Sequence, residues 1–539
     1  MKKYLMTRNM FKILLNGKKK YLILIIFFQI TSGVLPAVIL YLMGSAINSL
    51  ENEDLYLLII FFLCSLVVLT EIIEITEAVS SSIISDFAKK NVRELLIKKS
   101  SSPNSINHLN EKEFQDNFYL TESRIDHISD FIGDISQFMT GFISIISIST
   151  LLFSLDWWIP FTVIIGMFPI IYARFKAESK IWEIETDFSS EFSSISKYYE
   201  CLTRIESSHS IRVDNFRETL FSKWNYTYNL ILNRVFKARF KGVLFLVFCS
   251  IPGLFLLVFT LYQARESIDP TPGNLMIIFG SILQIRTSLT ILIANFSQLI
   301  YGFLSTLSLD KIENSNYHYN DILFNNTNDD NIIFMRNVNF SYNESKNKVL
   351  GNVSLKFKKN NTYILYGENG SGKSTLTNII SGLYSNFYGE IISNIHPDRI
   401  LYISQNIRPL PITFREFIDP FNKFNSNDIL NALHNFELDF ISEINLEYYL
   451  VEGFSNYLKL SGGQWQRLLM AKLYLNYFNY DLILLDEINS ALDSNGDNLF
   501  YQLINYLNAK TALIIISHKK ITDHLNVKVT KIKLTNKRR

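Results

Sequence analysis

Cysteine is nearly absent: Cys64, Cys201 and Cys249 are the only three in 539 residues. With no CxxC and no Cys/His pair at ligand spacing, a disulfide framework and a zinc module are both excluded. The three are expected to be small buried apolar residues. An excess of charge is missing too, since 52 Lys and Arg stand against 50 Asp and Glu, for a net charge of +2. A nucleic-acid-binding face shows as a basic surplus, so no nucleic-acid partner is expected. Charge of either sign is scarce, at 19% against roughly 25% in ordinary soluble chains. Aromatics are plentiful, 14% with 42 Phe, and mean hydropathy is +0.13. That combination excludes a disordered chain and argues against a wholly soluble one.

What is present is uneven. Residues 21–42, 55–77, 132–155, 157–172, 243–262 and 275–304 are apolar runs suited to crossing a hydrocarbon core. The run 157–172 is the shortest, and Trp157, Trp158 and Tyr172 at its ends read as interfacial anchors. The first run is too long for the apolar region of a cleaved signal peptide, and no small-residue cleavage site follows it. Positive charge collects before the first run (Lys18, Lys19, Lys20), after the second (Lys89, Lys90, Arg93) and after the fourth (Arg174, Lys176, Lys180). The positive-inside rule then places both termini in the cytoplasm of a multi-pass protein of the cytoplasmic membrane, surrounded by lipid. The long connections after the second and fourth runs keep a helical period (Phe87, Val92, Leu95, Leu96), so spans two to five should continue as helices into the cytoplasm.

Hydrophobicity falls after Leu304. Residues 1–310 read as a six-helix transmembrane domain, and 311–331, rich in Asn and Asp, as a linker. Residues 332–539 read as an α/β domain, with strand-like runs at 333–342, 362–366, 400–404, 482–485 and 512–517.

Gly367-Glu368-Asn369-Gly370-Ser371-Gly372-Lys373-Ser374-Thr375 fits GxxxxGK[ST], directly after the strand 362–366 and before a helix expected near Thr375. Glycines let backbone N–H groups close round a phosphate chain at a helix start, Lys373 neutralises the outer phosphates, and Ser374 reaches Mg²⁺. Between a strand and a helix this P-loop pattern is specific, so ATP and Mg²⁺ are the expected cofactors. A second element, Leu482 to Leu485 followed by Asp486 and Glu487, is an apolar strand ending in two carboxylates. Asp486 suits the metal and its water; Glu487 suits polarising an attacking water.

Leu460-Ser461-Gly462-Gly463-Gln464-Trp465-Gln466-Arg467 carries the LSGGQ signature, and with it the chain resembles the ATP-binding cassette transporters. The resemblance runs over essentially the whole chain and implies a half-transporter of the exporter type: a six-helix transmembrane domain, then an α/β P-loop nucleotide-binding domain. It implies that Ser461, Gly462, Gly463 and Gln464 of one cassette close over ATP held by another. Tyr342 resembles the aromatic that stacks on adenine, and Gln405 the glutamine that senses Mg²⁺ and couples to the membrane part. Asp493 closes a D-loop (Ser490 to Asp493), and His518 matches the switch histidine beside the γ-phosphate. Glu452 matches the acidic contact before the signature. Ile488-Asn489 departs from the usual Pro-Thr, the stretch 389–400 is short, and twenty-one residues follow His518, so a hairpin and terminal elements are expected to be reduced.

The implied activity is ATP hydrolysis driving export by alternating access, with an identical second copy as partner and coupling segments near 110–118 and 198–202. Trp465 in the signature, and Ser210 to Phe216, look similar to exporters of ribosomally made modified peptides such as lanthipeptides and bacteriocins. No protease domain precedes the first span, so export without leader trimming is expected. A multidrug or lipid-linked-precursor exporter is the alternative within transport. A soluble mechanical cassette protein is excluded by the six spans. Arg286, Glu71 and Glu74 lie inside spans, where charge is costly and tends to face a cavity or a partner. At 1.5 Å per residue, Arg286 lies roughly 16 Å and Glu71 roughly 24 Å below the outer surface. Pairing between them, or a cargo-facing role, is the expectation.

Overall fold

The computed structural model describes residues 19–101, 105–203, 211–267, 271–313, 322–324, 330–342, 348–405, 409–508, 510–517 and 524–535. The chain divides into two compact units: Met1–Lys98 with Asn117–Asn314, and Lys99–Asp116 with Ser315–Arg539.

In the first unit the apolar runs are helices: α1 (Lys19–Asn48), α2 (Glu53–Ser101), α5 (Ile125–Leu155), α6 (Ile159–Asp187), α8 (Arg217–Ser267) and α9 (Pro272–Glu313). Each contains a stretch long and apolar enough to cross a membrane. Several far exceed a bilayer; the 49 residues of α2 rise about 74 Å. The shorter helices α3 (Asn107–Asn110), α4 (Lys112–Ser123) and α7 (Ser189–Thr203) complete the connections. The chain near 157 enters α6 only at Ile159, with Trp158 donating its indole N–H to Asp156 at 2.7 Å.

Small residues set the helix crossings, as expected where apolar burial distinguishes protein from lipid poorly. A Cβ on Gly273 would stand 2.1 Å from the Gly44 carbonyl, and one on Gly33 would stand 2.6 Å from the Ile143 side chain. Hydroxyls add buried links: Ser144 and Ser288 meet at 2.9 Å, and Ser147 donates to the Gly33 carbonyl at 2.8 Å. By contrast no residue of α2 from 55 to 72 is buried. The cysteines also depart from expectation: Cys64 is exposed, and Cys201 and Cys249 are half-buried. Cys64 lies on that uncovered stretch of α2, where no protein packs over it.

The second unit holds two sheets. One is four-stranded, in the order β1 (Leu323–Phe324), β5 (Tyr388–Ser393), β2 (Asn331–Phe340), β3 (Leu350–Lys358). The other is parallel, in the order β6 (Ile400–Ile403), β7 (Leu482–Asp486), β8 (Ala512–Ile516), β4 (Thr362–Tyr366), β9 (Val529–Lys533). Strands β7 and β8 are buried along their whole length, as continuous Leu/Ile runs require in a parallel sheet covered on both faces. The stretch after Gly389 is a single strand followed by the short turn Pro397–Arg399, and an edge strand, β9, pairs with β4. The expected linker contains β1, which pairs with β5.

Residues Lys99–Asp116 group with the second unit, beyond the expected boundary at 310. The Ile106 N–H donates to the Leu383 carbonyl at 2.9 Å, and Ser105 Oγ reaches the same carbonyl at 3.3 Å. Asn107 sits against Ser385, and His108 is buried edge-on to Phe114 at 5.0 Å. The contact thus centres on 105–108, just before the segment 110–118 marked by the sequence. In the other expected coupling segment, Tyr199 on α7 is 59% exposed.

Candidate functional site

In a parallel sheet, loops at the carboxyl ends of the strands gather into one crevice. Here β4 leads to 367–372, β7 ends at Asp486 and Glu487, β6 leads to Gln405, and β8 leads to Ser517. Residues some 150 positions apart meet for that reason.

Helix α10 (Lys373–Ile380) starts at Lys373, two residues earlier than expected, with Gly372 as its N-cap at φ 90°. A side chain there would be strained, and its Cβ would stand 2.6 Å from Leu350. At Gly367 a Cβ would lie 2.4 Å from the carbonyl of Leu534, so the residue just after β9 closes against the loop's first glycine. Gly370, at φ 78°, and Asn369 form the open crest of the loop. Lys373 is buried, and its ammonium donates to the Gly367 and Glu368 carbonyls at 2.9 and 3.1 Å.

Asp486 is buried; it accepts from the Tyr402 hydroxyl at 3.3 Å on one carboxylate oxygen, while Oδ1 has no hydrogen-bond partner. Burial raises its pKa, offset by the Ser374 and Tyr402 hydroxyls. The Ser371 hydroxyl is likewise buried without a partner. A half-satisfied buried carboxylate beside Ser374, and an orphaned hydroxyl at a helix start, fit a divalent cation and a phosphate group. Glu487 follows in left-handed backbone, φ 54°, its N–H held by the Ile516 carbonyl at 3.0 Å. Gln405 Nε2 donates to Glu487 Oε2 at 2.6 Å. Tyr342 packs edge-on to Phe340 and Tyr384, and its hydroxyl shares a 2.8 Å bond with Thr375. His518 lies outside the described residues.

The signature stands at the start of α11 (Gly462–Asn476). Ser461 is its N-cap in a reciprocal capping box: Gln464 N–H donates to Ser461 Oγ at 3.3 Å, and Ser461 N–H donates to Gln464 Oε1 at 2.8 Å. Gly462 and Gly463 face Ala491, where a Cβ would stand 3.6 Å from its methyl or 3.3 Å from its carbonyl. Asp493 is exposed but engaged by its neighbours. Its carboxylate accepts from Gly496 N–H at 2.9 Å and from Arg467 at 3.0 Å, and both hold its pKa below the ordinary range.

Several neighbours escaped the sequence reading. Gln466 makes two bonds to the D-loop, donating to Ser490 Oγ at 3.1 Å and accepting from Ala491 N–H at 3.0 Å. Arg467 also pairs with Glu437, a residue of no motif. Tyr402 carries a legible signal: it lies on the strand leading to Gln405. Glu452 bonds Lys459 at 2.9 Å.

Within the first unit, Arg286 and Glu71 are both exposed, and the described residues show no ion pair between them. The expected pairing is therefore not made within this chain: α9 and α2 turn these side chains to open faces. Glu74 instead lines two cavities, of about 440 and 310 Å³, the larger shared with Glu77 and Ser136. Ser136 donates to Glu77 at 2.6 Å.

A family profile described as ABC transporter matches residues 350–490. The zinc import ATP-binding protein ZnuC of Wigglesworthia glossinidia brevipalpis is 34% identical over 194 residues, which is 35% of this chain and 77% of that protein. The nisin transport ATP-binding protein NisT of Lactococcus lactis subsp. lactis is 29% identical over 286 residues, 46% of this chain and 47% of that one. The microcin-J25 export ATP-binding/permease protein McjD of Escherichia coli is 33% identical over 198 residues, 34% of this chain and 33% of that one. The chain thus spans less than half the lengths of NisT and McjD, but most of the length of ZnuC. With six apolar helices ahead of a matched, P-loop-bearing parallel sheet, this chain belongs to the ATP-binding cassette transporter family, as an ATP-binding, transport-coupled ATPase.

Proposed function

We propose that this chain exports a ribosomally made, modified antimicrobial peptide across the cytoplasmic membrane, working as a homodimer with its cassettes in the cytoplasm. The observation that carries the reading is the reach of the NisT similarity. Its 46% of 539 residues is about 248, more than the 208 from position 332 to 539, so the match extends into the helical part. The McjD similarity supports the same cargo class.

In this reading residues 1–310 form the pathway, 311–331 the linker and 332–539 the motor. Lys373 and the amides of 367–375 bind the phosphates, and Tyr342 offers a ring to adenine. Ser374, Asp486 and Gln405 would hold Mg²⁺, which neutralises phosphate charge when bound. Glu487 takes a proton from the attacking water, with His518 beside the γ-phosphate. Ser461 to Gln464, with the Asp493 loop, face the nucleotide of the second copy. The exposed apolar stretch 55–72 of α2 leaves a face for lipid and for a second copy. Glu74 supplies charge for cargo in the cavity, and Glu71 and Arg286, on open faces of α2 and α9, are further charges offered to cargo. Two acidic residues at the larger cavity favour a cationic peptide.

The test is ATPase activity of the reconstituted chain against a cargo panel. Stimulation by modified cationic peptides is expected. Stimulation confined to hydrophobic drugs or lipid-linked precursors would shift the reading to the alternative.

A further inference from the structure

Helices α6 and α8 run side by side, held at two points by small residues. A Cβ on Gly253 would stand 2.5 Å from the Gly166 carbonyl, and one on Gly242 would stand 3.1 Å from the Ala177 methyl. On the cytoplasmic side of the second point lies a cavity of about 970 Å³, lined by five cations: Lys176, Lys180, Arg234, Lys237 and Lys241. Among the described residues two carboxylates line it, Glu183 and Asp187, so the five described cations exceed the described carboxylates by three. Glu183 is already taken by Lys180. Arg234 stacks on Phe188 at 4.5 Å, and Lys176 lies 5.1 Å from the Phe245 ring centre. Lys237 and Lys241 make no hydrogen bond or ion pair among the described residues. A large cavity with surplus cations, two of them unengaged, is built to receive an anion.

Its depth narrows the choice. The sequence ends span four at Tyr172 and begins span five at Val243. At 1.5 Å per residue Lys241 and Lys176 stand roughly 3–6 Å beyond the hydrocarbon edge, and Lys237 and Lys180 roughly 9–12 Å. The headgroup layer occupies roughly those first 5–8 Å. Directly above, α8 carries Leu244 and Phe248, which are 56% and 74% exposed, on a surface suited to acyl chains. We propose that this cavity binds the phosphate group of an anionic phospholipid of the cytoplasmic leaflet, with Lys237 and Lys241 as its principal contacts. The depth argument rests on the cytoplasmic orientation proposed above, whereas the binding itself needs no transport.

The experiment uses the full chain in nanodiscs of phosphatidylcholine with about 20% phosphatidylglycerol, an anionic content in the range that basic segments sense. Lipid retained on the protein is counted by native mass spectrometry. Lys237→Gln/Lys241→Gln should lower phosphatidylglycerol affinity roughly tenfold, since each surface lysine contributes appreciably to anionic-lipid attraction. Basal ATPase should be unchanged, and the control pair Lys98→Gln/Lys223→Gln should bind as the unaltered protein does. Lys237→Arg/Lys241→Arg, which keeps both charges, should also bind normally; should the Gln pair fail to fold, Lys241→Gln alone should show about a threefold loss. Unchanged retention in the Gln variants, or an equal loss in the control pair, overturns the site. Inorganic phosphate separates the sources, its binding read in discs of phosphatidylcholine alone and its displacement of the anionic lipid in the mixed discs. If it binds with the same lysine dependence and displaces the lipid, the ligand is a soluble phosphate and the lipid assignment falls. Displacement of the lipid by polyglutamate, with no phosphate binding, assigns the cavity to an acidic peptide and overturns the proposal.

Discussion

Gln405 donates a 2.6 Å hydrogen bond from its side-chain amide to the Glu487 carboxylate. The residue expected to couple to the membrane part is thereby joined to the one expected to polarise water. Glu487 is held there in left-handed backbone, an uncommon conformation for a non-glycine residue and one that surrounding contacts must enforce. Any shift of Gln405 changes the setting of that carboxylate.

Glu487→Gln should bind ATP and lose turnover by about a hundredfold or more, the range expected on removing a general base. Cassettes should then accumulate closed. Phosphate release and nucleotide retention by purified protein check this, and near-normal steady-state hydrolysis would refute the role.

Gln466→Ala should leave the P-loop intact but loosen the signature from the D-loop, because both bonds to Ser490 and Ala491 go. Each such bond is worth about 1 kcal/mol. Hydrolysis should fall several-fold with little change in ATP binding, measured as separate titrations. A parallel loss of binding would place the defect in the fold instead.

Asp481 gives a pH signature. Arg399 grips it with two bonds, at 2.5 and 2.8 Å, and holds its pKa below the ordinary carboxylate value. A depressed folded pKa means stability that is present above the unfolded value near 4 and lost as pH falls through the folded value. Partly exposed, the pair is worth about 1 kcal/mol or less. Thermal denaturation should therefore show Asp481→Asn less stable than the parent at pH 7, with the gap closing below about pH 4.

A homodimer should appear in nanodiscs at twice the 62.6 kDa chain mass. The motifs at Lys373, Ser461 and Glu487 are all present, so neither site requires a better-equipped partner. Light scattering that finds only monomer, or an obligate different subunit, would count against it.

Local chemistry made much of this protein legible from residue order. Apolar runs report membrane-length helices because a hydrocarbon core accepts little else. Four of the five parallel-sheet strands (runs 362–366, 400–404, 482–485 and 512–517) and the P-loop read off because buried strands need continuous Leu and Ile, and a phosphate needs glycine amides at a helix start, whereas the edge strand β9 did not. What depended on folding was every relationship between distant positions. Gln466 reaches the D-loop, Glu437 finds Arg467, and 105–108 meets Leu383 only because sheet and helix packing brings them together; no local pattern encodes those distances. The same reason governs the charges. Sequence depth alone allowed Arg286 to meet Glu71, but helix rotation about its axis decides which way a side chain faces. It left that pair apart, turned Glu74 to a cavity, and gathered Lys237 and Lys241 beside Lys176 and Lys180.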